Sequence, residues 1–101
     1  MNYRMYRTCK KAVDTFGKDN QTNMATEELA ELIVAINHWR RGRAGKDAVI
    51  EEIADCYIML LQLTYIVTDA SDFSPIIAEL ERKLHRLNRR IEEWQPSTST
   101  D

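Results

Sequence analysis

The sequence predicts an all-α fold, and two observations support this fold class. Glycine and proline are scarce, with only three and two residues in a chain of 101. Apolar residues recur every three or four positions, and valine and isoleucine nowhere alternate with polar residues as they do in half-buried strands. A chain of this length is expected to fold as a single domain, which we place at residues 1–95.

The first two helices are expected in the N-terminal half of the chain. Apolar residues at helical spacing predict a helix over residues 3–16, and Gly17 is expected to end it. The second helix is predicted to begin between residues 20 and 22 and to run to about Arg41, where Gly42 follows as a helix stop.

The third and fourth helices are predicted from their capping residues. Asp47 is a good N-cap for a third helix that extends to about Thr68. Ser74 can cap the fourth helix, with Pro75 at its first helical position, and Pro96 is expected to end it.

The fourth helix carries one continuous apolar seam. Its spacing of three and four residues is typical of a helix that packs along another helix. Residues 96–101, which follow this helix, are expected to form a disordered tail. The seam consists of Ile77, Leu80, Leu84, Leu87, Ile91 and Trp94.

Charge and hydropathy exclude several classes of function. A net charge of −2 gives no field that would recruit nucleic acid or an anionic membrane. The longest apolar run, residues 53–67, contains Asp55 and Gln62 and is too short and too polar to cross a bilayer. The N-terminus lacks the apolar stretch of a signal peptide. We therefore expect a cytoplasmic protein in which Cys9 and Cys56 are reduced, buried thiols.

Two acidic motifs lie inside apolar stretches: "EELAE" at residues 27–31 and "EEIAD" at residues 51–55. At about 100° per residue, Glu28 falls within the apolar stripe of the second helix and Glu31 on its edge. Glu27 lies towards the polar side. Glu28 is therefore not expected to be an ordinary surface acid, whereas Glu27 is.

The third helix is apolar around nearly its whole circumference, which predicts a central and buried helix. Glu52 and Asp55 lie on one side of it, about 60° apart, and Glu51 is interpreted as a capping or surface acid. The short link "RGRAGK" makes the second and third helices antiparallel neighbours, so the motifs can face each other. From the predicted helix ends, the motifs are offset by roughly 7 Å along the helix axes.

Four carboxylates between two helices require a countercharge, because an unpaired buried carboxylate is costly. An i,i+3 pair on each helix presents Glu28, Glu31, Glu52 and Asp55 to one cavity, and this spacing favours a divalent metal over a salt-bridge network. No histidine falls at ligand spacing from these acids. Ligation by oxygen alone suits Mg²⁺ or Mn²⁺.

The two motifs, "ELAE" at residues 28–31 and "EIAD" at residues 52–55, are separated by twenty residues. This pattern resembles the ExxE…ExxD signature of MazG-like nucleoside triphosphate pyrophosphohydrolases, in the all-α NTP pyrophosphatase superfamily. The context "HWRRGR", a short turn and "EEIADCYIMLLQL" is also similar, so the resemblance covers about residues 16–68. The segment "ELERKLHRLNRRIEE" resembles the closing helix of small members more weakly.

The resemblance implies a four-helix MazG-like bundle completed by oligomerisation, as a homodimer or homotetramer. It implies hydrolysis of a (deoxy)nucleoside triphosphate to the monophosphate and pyrophosphate. Carried over by position, the Mg²⁺ ligands would be Glu28, Glu31, Glu52 and Asp55, with Mn²⁺ as a substitute ion. One glutamate, Glu31 or Glu28, would also take the proton of the attacking water.

Several other side chains are candidates for contacts to substrate, each with a plainer alternative. Arg43 and Lys46 at the turn either contact the triphosphate or form a solvated helix terminus. Trp39 either packs in the core or stacks on a nucleobase, and His38 is either a surface or a base-reading residue.

Gln21 and Met24 lie before Glu28 on nearly the same helix face and could line the pocket. On the fourth helix, Lys83 and Arg86 either form a solvated face or reach phosphate across a dimer. The rival function is a non-catalytic helical interaction or nucleotide-binding module, in which the carboxylates form a structural network with Arg or Lys. The preferred base and sugar, the number of metal ions and the choice between dimer and tetramer stay open.

Overall fold

A computed structural model describes residues 3–68 and 73–94, and in these residues there are four α-helices and no strand. The predicted all-α fold class is therefore confirmed for this part of the chain. Within it, no helix combines the length and hydropathy needed to cross a membrane. The helices are α1 (Tyr3–Phe16), α2 (Lys18–Arg40), α3 (Lys46–Thr68) and α4 (Ser74–Glu93).

Two glycines separate the first helices as the sequence predicts. Gly17 and Gly42 have φ angles of 96° and 71°, in the left-handed region that favours glycine. The start of α2 at Lys18 is earlier than predicted, because the backbone N–H of Gln21 already donates to the carbonyl oxygen of Gly17 at 3.1 Å. The α1 helix thus ends and α2 begins around a single residue.

The predicted caps of α3 and α4 are displaced by one or two residues. Asp47 lies inside the first turn of α3, where its charge still favours the N-terminal dipole, and it is not the N-cap. In α4, Phe73 occupies the N-cap position without a side-chain capping bond, so Ser74 and Pro75 are the first two helical residues. These predicted N-caps are therefore wrong, although both helices begin within one or two residues of their predicted starts.

The chain divides into two compact units, Met1–Ser71 and Asp72–Asp101. The single domain over residues 1–95 stays a prediction. Both the predicted stop at Pro96 and the predicted tail at 96–101 lie outside the described residues.

In the first unit, α3 packs against both α1 and α2, and α1 also contacts α2. Cys9 and Cys56 are buried and unbridged, as predicted. The Cys9 thiol donates to the carbonyl oxygen of Ile58 on α3 at 3.6 Å. The small core of this unit consists of Cys9, Val13, Ala25, Ala35, Cys56, Met59 and Leu61.

The α3 helix is central within its unit but is not buried on all sides. Ile50, Tyr57 and Val67 are 56%, 63% and 74% exposed. The prediction of a fully buried helix is wrong for the described chain, because α1 and α2 cover only part of its circumference. Its remaining apolar surface faces outward.

In the second unit, α4 buries none of its residues. Its seam residues are all about half exposed or more, from Leu87 at 49% to Trp94 at 69%. On the polar side, the Arg82 guanidinium donates two hydrogen bonds to the Glu79 carboxylate, at 2.7 and 2.9 Å.

Candidate metal centre

The α2 and α3 helices run antiparallel, and contacts along their interface show this. Gln21, near the start of α2, donates to Gln62, near the end of α3, at 2.8 Å. Farther along, the Cys56 thiol donates to the carbonyl oxygen of Glu28 at 3.5 Å. The order of the contacts is reversed between the two helices, as the short link predicts.

Three of the four predicted metal ligands converge between these helices. One carboxylate oxygen from each of Glu28, Glu31 and Glu52 lies within 4.8 Å of the others. Oxygens on opposite sides of an octahedral Mg²⁺ are about 4.2 Å apart, since each Mg–O distance is about 2.1 Å. The upper bound of 4.8 Å is somewhat wider than this, so the members of this carboxylate cluster, Glu28, Glu31 and Glu52, are near enough to one another to share one ion.

The axial offset expected from the sequence is reduced in the structure. The α2 helix ends at Arg40 and α3 begins at Lys46, each one residue before its predicted position. Counted from these ends, the offset between Glu31 and Glu52 falls to about 4.5 Å at 1.5 Å per residue. The hydrogen bond between Gln21 and Gln62 indicates a still smaller offset, because Glu31 and Glu52 each lie ten residues from the glutamine of their own helix.

Burial within the acidic motifs follows the helical-wheel prediction. Glu28 and Glu52 are partly buried, whereas Glu31 is exposed at the edge of the apolar stripe. Glu27 is an exposed surface acid, as predicted, and Glu51 is also exposed, which agrees with the surface alternative of its two interpretations. The cluster thus has two sheltered carboxylates and one that faces solvent.

The electrostatic environment of the cluster disfavours negative charge. Desolvation raises the pKa of Glu28 above its ordinary value, and the charges of Glu31, Asp55 and Glu52 raise it further. Desolvation likewise raises the pKa of Glu52, followed by the charges of Glu31, Asp55 and Glu51. In the part of the chain that the structure describes, every charge that shifts these two pKa values is therefore another carboxylate.

Two carboxylate oxygens in the cluster are buried without a hydrogen-bond partner among the described residues. These atoms are Oε2 of Glu28 and Oε2 of Glu52. A salt-bridge network would place Arg or Lys beside them and lower their pKa values, which is the opposite of what is seen. Acceptor-only groups of this kind are suited to a cation, so the residues present fit a divalent metal ion.

Asp55 stands beside this cluster but is not one of its three members. It is partly buried, and it acts on Glu28 through its charge and through a hydrogen bond that exists only when one of the two carboxyl groups is protonated. Its side chain is one methylene shorter than that of glutamate. Its role as a fourth ligand stays a prediction.

Cys56 lies closer to the site than the sequence suggested. The pKa of its thiol is raised by desolvation and then by the charges of Glu52, Glu28, Asp55 and Glu31. The sequence predicts a buried thiol here, and the position directly after Asp55 indicates that the residue borders the acids. Its hydrogen bond to the Glu28 carbonyl oxygen joins α3 to the backbone of α2 at this carboxylate.

The predicted substrate-contacting residues of α2 occupy different environments. Gln21 is buried and bonded to Gln62, so its amide is engaged within the fold. Met24 is 41% exposed. Trp39 is 50% exposed, which leaves the core interpretation without support, and His38 is exposed.

The predicted basic contacts are all exposed. Arg43 lies in the α2–α3 turn and Lys46 is the first residue of α3. Lys83 and Arg86 are exposed on α4, in the second unit. Their contacts to phosphate stay predictions.

Comparisons of the chain with families of proteins, with curated proteins and with solved structures found no significant match. The resemblance to MazG-like enzymes therefore rests on the two acidic motifs and the residues around them.

Proposed function

We propose that this chain is a Mg²⁺-dependent nucleoside triphosphate pyrophosphohydrolase with a MazG-like fold. The observation that carries the proposal is the convergence of Glu28, Glu31 and Glu52, with two of their oxygens buried and unbonded within the described residues. Such an arrangement is costly for the metal-free protein, and a divalent cation offsets that cost.

The proposed reaction adds one water to the α–β phosphoanhydride. The water oxygen bonds to phosphorus, the bridging P–O bond breaks, and the products are the monophosphate, pyrophosphate and one proton. Bound Mg²⁺ would neutralise the carboxylates and stabilise the negative charge that develops on phosphate oxygens. Glu31 is the first candidate to accept the water proton because it is exposed, and Glu28 is the second.

Exposed residues near the α2–α3 turn supply the proposed substrate contacts. The half-exposed ring of Trp39 offers a stacking surface for a nucleobase, with His38 beside it in sequence. Arg43 and Lys46 supply positive charge for the phosphates. Met24 has an accessible apolar side chain on the helix that carries Glu28.

The proposed assembly is a homodimer or homotetramer. The exposed seam of α4 supports it, since six apolar side chains at coiled-coil spacing are suited to burial against another helix. In such an assembly, Lys83 and Arg86 would approach the phosphates from a second copy.

The alternative is a non-catalytic module in which the carboxylates form a structural network. It lacks support at the site, because no cation among the described residues shifts the pKa of Glu28 or Glu52. It makes a different prediction: millimolar Mg²⁺ would leave the thermal unfolding midpoint unchanged.

The test is an assay of pyrophosphate release over a panel of canonical and modified (deoxy)nucleoside triphosphates, with Mg²⁺ or with EDTA. We expect Mg²⁺-dependent release that is lost in Glu28→Gln. Glu27→Gln is the matched control, because Glu27 is the neighbouring exposed acid outside the cluster. Equal turnover in the two variants would refute the assignment, as would release that persists in EDTA.

A further inference from the structure

A buried amide pair connects α2 to α3. The Nε2 of Gln21 donates to Oε1 of Gln62 at 2.8 Å, and the Nε2 of Gln62 lies 3.8 Å from the sulfur of Met59. The two glutamines are 8% and 4% exposed, and among the described residues they are the buried polar ones. We call them the glutamine pair.

The glutamine pair has the same axial register as the acidic motifs. Glu28 lies seven residues after Gln21 on α2, and Asp55 lies seven residues before Gln62 on α3. Because the helices are antiparallel, the register that pairs the glutamines sets Glu28 level with Asp55. Glu31 lies ten residues after Gln21, and Glu52 lies ten residues before Gln62, so these two acids are level in the same way. Seven residues are about two turns, or about 10.5 Å.

Apolar packing alone defines this register weakly. The α3 helix is apolar around nearly its whole circumference, and α2 contributes the small residues Ala25 and Ala35 to the core. A slide of one turn, about 5.4 Å, would exchange one apolar contact for another. In the absence of metal, the carboxylates of Glu28, Glu31 and Glu52 oppose their own alignment, because like charges this close repel one another.

A slide of one turn would, however, separate the glutamine pair. The buried Nε2 of Gln21 and the buried Oε1 of Gln62 would then lose each other as partners. An unsatisfied buried polar group is penalised far more than a satisfied one is rewarded. A single buried polar contact is known to fix register in coiled coils for this reason.

We propose that Gln21 and Gln62 are positioning residues that hold α2 and α3 in the one register in which the carboxylates meet. The part of the inference that concerns metal affinity rests on the proposed function. The part that concerns helix register does not, because it can be measured in the metal-free protein.

The main test replaces both glutamines by methionine, in Gln21→Met/Gln62→Met. Methionine has a similar length and removes both amides together, so we expect a thermal unfolding midpoint near that of the native chain. Leu61→Met is the matched control, because Leu61 is buried on the same helix and loses no polar group.

The register is measured between nitroxide labels on cysteines introduced at Asn23 and Glu51, which are exposed and lie on α2 and α3. Native protein treated with the same label reports any reaction of the buried Cys9 and Cys56. We expect one narrow distance, that of the native register, both in the labelled protein that is otherwise native and in the labelled Leu61→Met control. In the double variant we expect a second or broadened distance, displaced by about 5 Å, which is one helical turn.

Mg²⁺ binding is then measured by calorimetry on the same variants without the labelling cysteines, because Glu51 directly precedes Glu52. We expect the double variant to bind Mg²⁺ roughly tenfold or more weakly, in the range that loss of supporting groups causes, while Leu61→Met binds normally.

A native protein that fails to bind Mg²⁺ would contradict the proposed function, and the distance measurement would still decide the register. An unchanged narrow distance in the double variant would overturn the inference. Should that variant not fold, Gln21→Asn, which shortens one side chain, carries the same expected broadening and the same refuting result.

Discussion

Carboxylates on the outer helix faces and carboxylates between α2 and α3 have opposite electrostatic environments. Hydrogen bonding to Arg82 lowers the pKa of Glu79 on α4, and hydrogen bonding to Lys10 and then to Tyr65 lowers the pKa of Asp14 on α1. The pKa values of Glu28 and Glu52 are instead raised, by desolvation and by other acids. The same chemical group is thus stabilised as an anion in one region and destabilised in the other.

The origin of this difference is visible in the local sequence. Glu79 has Arg82 three residues later, and Asp14 has Lys10 four residues earlier, which are the spacings at which helical side chains meet. The corresponding neighbours of Glu28 and Glu52 are apolar or acidic. They are Met24, Ala25, Glu31 and Leu32 for Glu28, and Ala48, Val49, Asp55 and Cys56 for Glu52. The comparison supports a cation supplied from outside the chain.

The largest expected effect is on turnover, in a direct comparison of the two regions. Glu52→Gln should reduce pyrophosphate release by more than about 100-fold, since removing groups that only support a metal ligand already costs roughly 10–100-fold. Glu79→Gln removes an acid of the same type from α4 and should leave turnover unchanged. Initial rates at saturating Mg²⁺ check both. Similar rates of pyrophosphate release in Glu52→Gln and Glu79→Gln would show that the acids between α2 and α3 have no special role in turnover.

The second expected effect is on stability, because metal bound only to the folded state raises its unfolding free energy. Mg²⁺ added to EDTA-treated protein should raise the thermal unfolding midpoint. The gain is about 2.7 kcal/mol when Mg²⁺ is present at a hundred times its Kd. Scanning calorimetry should show the shift in the native chain and in Glu79→Gln, and little shift in Glu28→Gln. An equal shift in Glu28→Gln would place the metal elsewhere.

The third expected effect is a pH dependence in the metal-free protein. Because the pKa values of Glu28 and Glu52 are raised on folding, the folded state binds more protons than the unfolded state above the ordinary glutamate pKa of about 4.5. Stability should therefore fall as pH rises from about 4.5 through the raised values. Urea unfolding in EDTA measures the slope, and we expect a shallower one in Glu28→Gln. Equal slopes in the native chain and in Glu28→Gln would show that the raised pKa of Glu28 does not cause the pH dependence.

The sequence predicts the positions of the helices and the burial of the acidic side chains well, because both depend on local periodicity. Gly17 and Gly42 stand where the helices end, and the partial burial of Glu28 beside the exposed Glu27 follows from their angles around α2. A helical wheel gives angle but not axial position. The sequence therefore left an offset of roughly 7 Å between the motifs that the structure reduces.

The environment of Gln62 cannot be predicted from local sequence patterns. In the sequence Gln62 is only a polar interruption of an apolar run, and the position of its partner Gln21 predicts a side chain that lines the substrate pocket. Their pairing depends on which helices meet and in which register, which is tertiary information. The exposure of Tyr57 and of Trp39 was missed for a related reason, since apolar character predicts a need for burial and not the element that provides it.

The smallest expected effect is on the thermal unfolding midpoint of the metal-free protein when one carboxylate charge is removed. The direction of the change should differ between the two regions. Glu79→Gln should lower the unfolding midpoint slightly, because it removes a favourable pair with Arg82 that is exposed to solvent. Glu28→Gln should raise the midpoint, because it removes a repelled carboxylate. At 1 M NaCl the screening length is about 3 Å, so the loss in Glu79→Gln should nearly vanish. The gain in Glu28→Gln should persist in part, since desolvation is its largest cause and salt does not screen desolvation. Midpoints measured at low salt and at 1 M NaCl check both signs, and a loss of stability in Glu28→Gln would show that its carboxylate is paired after all.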